Sequence, residues 1–208
     1  MKISNLIFSA FIMLAFCSFQ VEASCSIPAL FKTTDYSPLD VENYFKKISK
    51  KDIICIFESS PNTKAIDVMR LLLNTNDIKF MSYWGKNSFP VFNRFMKHFF
   101  FKKNELYGFN TSLAGKTLND PGIFKLQIVN NKFLFNYNLN FAETFLLSDM
   151  PYLFQSSFKD VKNNDKSLLF KNLFDDIKLI GGNVIVGKAY TNDVLKPKAY
   201  FILISKRE

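Results

Sequence analysis

From Ile78 to the end of the chain, apolar side chains recur at every second position in short runs separated by turn residues. That is the period of strands with one buried face. The clearest pair is Phe124-Lys125-Leu126-Gln127-Ile128-Val129 and Lys132-Phe133-Leu134-Phe135-Asn136-Tyr137, joined by Asn130-Asn131. Two asparagines tolerate the positive φ of a two-residue hairpin turn, so this segment predicts a β-hairpin. Phe99–Phe101 and Leu106–Phe109 flank Lys102-Lys103-Asn104 in the same way, and Asp176–Ile180 and Val184–Lys188 flank Gly181-Gly182-Asn183. Tyr200–Ile204 supplies a last strand. Connections this short exclude parallel crossovers, so the sheet is expected to be antiparallel.

Before about residue 75 the pattern is helical. Ser37-Pro38-Leu39-Asp40 combines an N-cap, a proline in the first turn and an acidic third position. Val41, Tyr44, Phe45 and Ile48 follow at helical spacing, and Lys46, Lys47, Lys50 and Lys51 load the end where the helix dipole favours cations. Ile53–Glu58 reads as a short apolar strand. Thr63–Asn74 predicts a second helix, with Ile66, Met69, Leu72 and Leu73 on its buried face. No repeat or Gly/Ser-rich linker divides the chain. The expected fold is therefore mainly β (α+β), an antiparallel barrel or half-barrel in a single domain over residues 24–208. Two N-terminal helices, at about 38–74, would pack at one end or across the mouth.

Residues 1–23 have the parts of a secretory signal: Lys2, an apolar run from Leu6 to Phe19, and Val21-Glu22-Ala23 before Ser24. The run is shorter than the ~20 residues of a bilayer span, so cleavage and export to the periplasm or exterior are expected. Cleavage would leave Cys25 and Cys55, which could form a disulfide tying the new N-terminus to the Ile53–Glu58 segment. Cys55 could equally be a small buried apolar residue.

Composition narrows the chemistry. One histidine in 208 residues excludes multi-histidine metal sites, and neither Cys-x-x-Cys nor an acidic calcium loop is present, so no metal or cofactor is expected. His98 is the only imidazole, and Lys97 beside it would depress its basicity; no nucleophile motif accompanies it, so it reads as structural and the protein as a non-enzyme. Asp160, Asp175 and Asp176 read as solvated residues near strand ends. Asn110-Thr111-Ser112 is a glycosylation sequon in form. The chain carries 27 basic and 18 acidic residues; losing Lys2 and Glu22 leaves 26 minus 17, still +9. Arginine is scarce and the charge is spread along the chain, which speaks against nucleic acid and for either a plain lysine-rich exterior or an anionic membrane surface.

The phenylalanines are the strongest feature: 25 in all, 21 of them after residue 23. Rings at alternating strand positions could line a barrel that holds one apolar ligand, or could simply fill the core. Trp84 would close a barrel end or touch a ligand, and Lys86 would reach carbonyls or an anionic headgroup.

Tyr83-Trp84-Gly85-Lys86-Asn87-Ser88-Phe89 resembles the aromatic-x-Gly-Lys-x-Phe box of small uncharacterised GXWXG-type proteins, with Tyr83 where a Trp is usual and Phe89 one position late. The Asp175–Lys188 run followed by Tyr200-Phe201-Ile202-Leu203 is similar to the closing strands of calycin-like, lipocalin-type barrels. The resemblance implies a calycin-like barrel. The reading that follows is an exported, non-catalytic binder of an apolar or amphipathic small molecule such as a lipid or fatty acid. Phe124, Leu126, Phe133, Phe135 and Tyr137 would line its site, with Trp84 beside them and Lys86 or Arg94 meeting an acidic headgroup. The alternative is a secreted interaction protein or effector whose basic surface docks on an anionic membrane or protein partner. The oligomeric state is left open.

Overall fold

A computed structural model describes residues 25–33, 35–64, 80–89, 93–102, 105–113, 122–139, 170–191 and 196–206. Eight antiparallel strands follow one another around a closed barrel: β1 (Phe80–Asn87), β2 (Arg94–Lys102), β3 (Glu105–Thr111), β4 (Phe124–Val129), β5 (Lys132–Asn136), β6 (Leu173–Ile180), β7 (Val184–Thr191) and β8 (Ala199–Lys206). Each strand pairs with its sequence neighbour, and β1 closes on β8 from Ser82↔Lys206 to Asn87↔Phe201. Closure leaves no edge strand in the sheet.

The turns form as their residues dictate. Asn130 and Asn131, at φ 50° and 60°, make the tight β4–β5 turn, and Gly181 at φ 64° opens the β6–β7 turn. These short turns lie at one end of the barrel. The longer connections, β1–β2, β3–β4, β5–β6 and β7–β8, leave from the other end.

Two helices precede the barrel, α1 (Pro38–Lys47) and α2 (Lys50–Ser59). Each starts with a capping box, Ser37 with Asp40 and Ser49 with Asp52, which satisfies backbone donors that a helix start leaves open. The second box corrects one expectation: Ile53–Glu58 is helix, not strand. Its apolar run is read by the helical period, with Ile53, Ile56 and Phe57 buried together. The helix expected over Thr63–Asn74 is not where the second helix lies; Thr63 and Lys64 are outside any helix, and residues 65–74 fall outside the described residues, as do residues 1–24. Cys25 and Cys55 are disulfide-bonded with Cα atoms 5.5 Å apart. The bridge therefore ties the described N-terminus to a helix rather than to a strand.

Alternation sorts the barrel's side chains into two sets. One packs inside: Tyr83, Phe95, Phe99, Phe124, Phe133, Phe135, Phe201 and Leu203 among others. The other faces outward, and there Val184, Val186, Ile202 and Ile204 pack beneath Val41, Phe45, Ile53, Ile56 and Phe57 of the helices. The helices thus cover the outer wall of β7 and β8 and do not lie across the mouth. A third apolar cluster, Phe100, Tyr107, Phe109 and Ile123, lies on the outer wall of β2 and β3.

Candidate functional site

The interior is filled at the tight-turn end and hollow at the other. Phe99, Phe124 and Phe135 pack edge-on or tilted against one another with ring centroids 4.6–5.6 Å apart, closing the barrel axis. Above them lies a cavity of about 320 Å³. Its apolar wall is made by Phe89, Phe95, Phe170, Leu173, Ala189, Ala199 and Phe201, and its polar groups by Asn87, Lys97, Asn110, Tyr137, Asp175 and Lys198.

Strand register makes this space. Ala189 and Ala199 face each other across β7–β8, where larger side chains would reach into the lumen. Three inward glycines each sit opposite a phenylalanine: Gly85 with Phe95, Gly108 with Phe124, Gly187 with Phe201. In every case the ring lies where a Cβ on the glycine would be. The Phe95 and Phe201 rings, which line the cavity, therefore lie against the wall instead of crossing the lumen.

Three of the polar groups, Lys97, Tyr137 and Asp175, form one connected cluster. Lys97 Nζ donates to the Tyr137 hydroxyl at 2.6 Å and lies 3.4 Å from Asp175 Oδ2, and the Tyr137 hydroxyl donates to the same Oδ2 at 2.9 Å. Lys97 and Asp175 are each 2% exposed. The ammonium also lies 4.3 Å from the centroid of Phe124, 4.8 Å from Phe135 and 5.2 Å from Phe201, within cation–π range. Burial pulls the Lys97 ammonium down to about 8 and pushes the Asp175 carboxyl above its usual range, with each partner's charge opposing the shift in the other. Burial, and then the Asp175 charge, also raise the Tyr137 hydroxyl well above its ordinary value.

The expected site residues divide between the two faces. Tyr137 lines the cavity; Phe124, Phe133 and Phe135 are buried in the packed interior, and Leu126 packs against that cluster. Trp84, Lys86 and Arg94 belong to the outer wall, because their positions in β1 and β2 alternate with the inward Tyr83, Gly85 and Phe95. Trp84 packs under the helices. Lys86 donates to the backbone oxygens of Phe45 and, at 2.6 Å, of Ile48. Arg94 pairs with Glu42 at 2.9 Å and lies over the Phe45 ring. They hold the helices to the barrel and do not line the cavity.

Three sequence readings change with the side chains in place. Asp175 is an interior carboxylate rather than a solvated one. Asn110 is buried, its amide donating to the Gly122 carbonyl at 3.2 Å and lining the cavity, so it presents no surface acceptor for a glycan. His98 is buried, and Lys97, expected to depress its basicity, points to the opposite face. Burial first and the Lys206 charge second hold the imidazole down at about 4. It hydrogen-bonds Ser82 at 2.9 Å and Thr111 at 2.8 Å and stacks against both Phe80 and Phe109. Among the described residues no group of three or more metal-ligating side chains occurs.

No protein-family model, curated protein or solved structure matches the chain. The cavity has to be interpreted from its own chemistry.

Proposed function

We propose that the protein is an exported, calycin-like, non-catalytic binder that holds one small apolar or amphipathic molecule in the open half of its barrel. The observation that carries the reading is the 320 Å³ cavity, walled by phenylalanine and alanine with one compact polar cluster. Ligand sites combine a concave apolar wall with a few convergent polar groups in this way. The volume is near the lower limit of the usual range, roughly 300–1,000 Å³, which favours a single ring system or a medium-length chain over a long acyl tail. Eight-stranded barrels have just enough interior for one such guest.

A rival function, docking on anionic membrane or protein partners through a basic surface, rests on net charge. Several of the cations are committed inside the fold: Lys97 in the lumen, Lys86 and Lys178 on helix carbonyls, Arg94 on Glu42. Their commitment weakens that reading.

The test is native mass spectrometry of the purified protein beside a cavity-filling variant, Ala199→Phe. The wild type is expected to carry, or to take up, a small molecule of a few hundred daltons at most, and the variant to lose it while keeping its circular dichroism spectrum. A bare wild type that also fails to bind N-phenyl-1-naphthylamine, a neutral apolar probe, would refute a ligand cavity. The same spectra report export, since cleavage after Ala23 gives a mass beginning at Ser24.

A further inference from the structure

The polar cluster in the cavity constrains the head of the ligand. This step rests on the ligand-binding reading above. Lys97 and Asp175 are one cation and one anion, 3.4 Å apart and shielded from solvent. The cluster is charge-balanced as it stands, whichever partner holds the shared proton. Deep in the cavity, away from the exposed Lys198 in its wall, an ionised carboxylate brought beside the pair would leave two negative groups facing one ammonium in a low-dielectric space, and an ammonium head would leave two positives facing one carboxylate. Uncompensated buried charge of either sign is strongly unfavourable.

Hydrogen bonding adds direction. Lys97 donates to Tyr137 and Tyr137 donates to Asp175, so the chain of donors ends on the carboxylate. Both side-chain bonds to Asp175 arrive at Oδ2. Oδ1 carries none among the described residues, although Asp175 lines the cavity. Oδ1 is therefore an acceptor open to the cavity, where a ligand donor can take the place of solvent.

We infer that the cavity selects an uncharged amphiphile whose head is a hydrogen-bond donor, a hydroxyl resting on Asp175 Oδ1, with its apolar body against Phe95, Phe170 and Phe201. Alcohols and phenols fit this description. Fatty-acid anions and alkylammonium ions do not.

A matched series tests it: 1-octanol, octanoate and octylamine competing with N-phenyl-1-naphthylamine for the purified protein at pH about 8, where octanoate is fully ionised. 1-Octanol is expected to bind at least about tenfold more tightly than either charged analogue, the factor one unit of pKa represents. In Asp175→Asn, Lys97 loses its counter-ion and octanoate can replace it, so the ratio of octanol to octanoate affinity should fall by about tenfold or more. Should that variant not fold, the wild type still decides the matter through pH. Octanoate affinity should rise as pH falls, because burial raises the Asp175 carboxyl and its protonation removes the second negative charge, while that of 1-octanol stays level. The other titratable groups around Asp175 are Lys97, Tyr137 and Tyr190, with Lys198 in the cavity wall. Octanoate matching 1-octanol at pH about 8 and losing affinity in Lys198→Ala would place the head at Lys198 and overturn the inference. A ratio unmoved by Asp175→Asn would overturn it too. If none of the three displaces the probe but the probe binds, the head-group assignment fails and the cavity stands; if the probe itself does not bind, the ligand-binding reading fails with it.

Discussion

Protonating His98 places a charge against the Phe80 and Phe109 rings, with the Ser82 and Thr111 hydroxyls at its nitrogens. The imidazole titrates at about 4 in the fold against 6.5 when unperturbed, so between those values the unfolded chain holds more protons. The contribution to stability is therefore complete above about pH 6.5 and is lost as pH falls through about 4, by on the order of 3 kcal/mol. Urea unfolding of wild type and His98→Gln, followed from about pH 7 to about pH 4, should show a steeper loss in the wild type. Parallel curves would mean that another group titrates. Lys97 and His98 are sequence neighbours and look like a coupled pair, yet strand alternation sends them to opposite faces and gives each a different electrostatic partner.

The helices and the barrel are joined by a device that repeats. Lys86 from β1 donates to the oxygens of Phe45 and Ile48 at the end of α1. Lys178 from β6 donates to those of Phe57, at 2.8 Å, and Ser60, at 2.7 Å, at the end of α2. Each ammonium satisfies carbonyls that a helix terminus leaves open and sits at the negative end of its dipole. Lys178→Met should lower stability by about 1–3 kcal/mol, the cost of unpaired buried acceptors. That loss would appear as a shifted denaturant midpoint at unchanged slope. An unshifted midpoint would mean that water replaces the ammonium. At this scale much was legible: the first capping box, the Asn130-Asn131 hairpin and the glycine turn of β6–β7 all follow from neighbouring residues. The segment Ile53–Glu58 is ambiguous in sequence, because a short apolar run suits a strand and a buried helix alike. The deciding signal was the Ser49-Lys50-Lys51-Asp52 cap just before it.

For the molecule as a whole, the Cys25–Cys55 bridge closes a loop of 30 residues. On the chain-entropy account, a loop of that length adds about 3–4 kcal/mol by restricting the unfolded chain. Reduction, or Cys55→Ala, should lower the denaturant midpoint by a corresponding amount while leaving probe binding in the barrel intact, since neither cysteine lines the cavity. Loss of binding in a variant that remains folded would instead couple the helices to the lumen. The sequence alone determined the local plan: two-residue periodicity for the strands, tight turns at asparagine and glycine, a capped N-terminal helix, and a chain rich in rings. Those features depend on residues a few positions apart. The tertiary structure decided which face of each strand is inside. In β2 the inward Phe95, Lys97 and Phe99 alternate with Arg94, Met96, His98 and Phe100, so both faces carry apolar and polar groups and the period by itself assigns neither. Closure of β1 on β8 and the packing of the helices on the outer wall settle that choice. They turn Lys97 and Asp175, a surface lysine and a strand-end aspartate to the eye, into the charged centre of the cavity, and Lys86 and Arg94 into helix anchors.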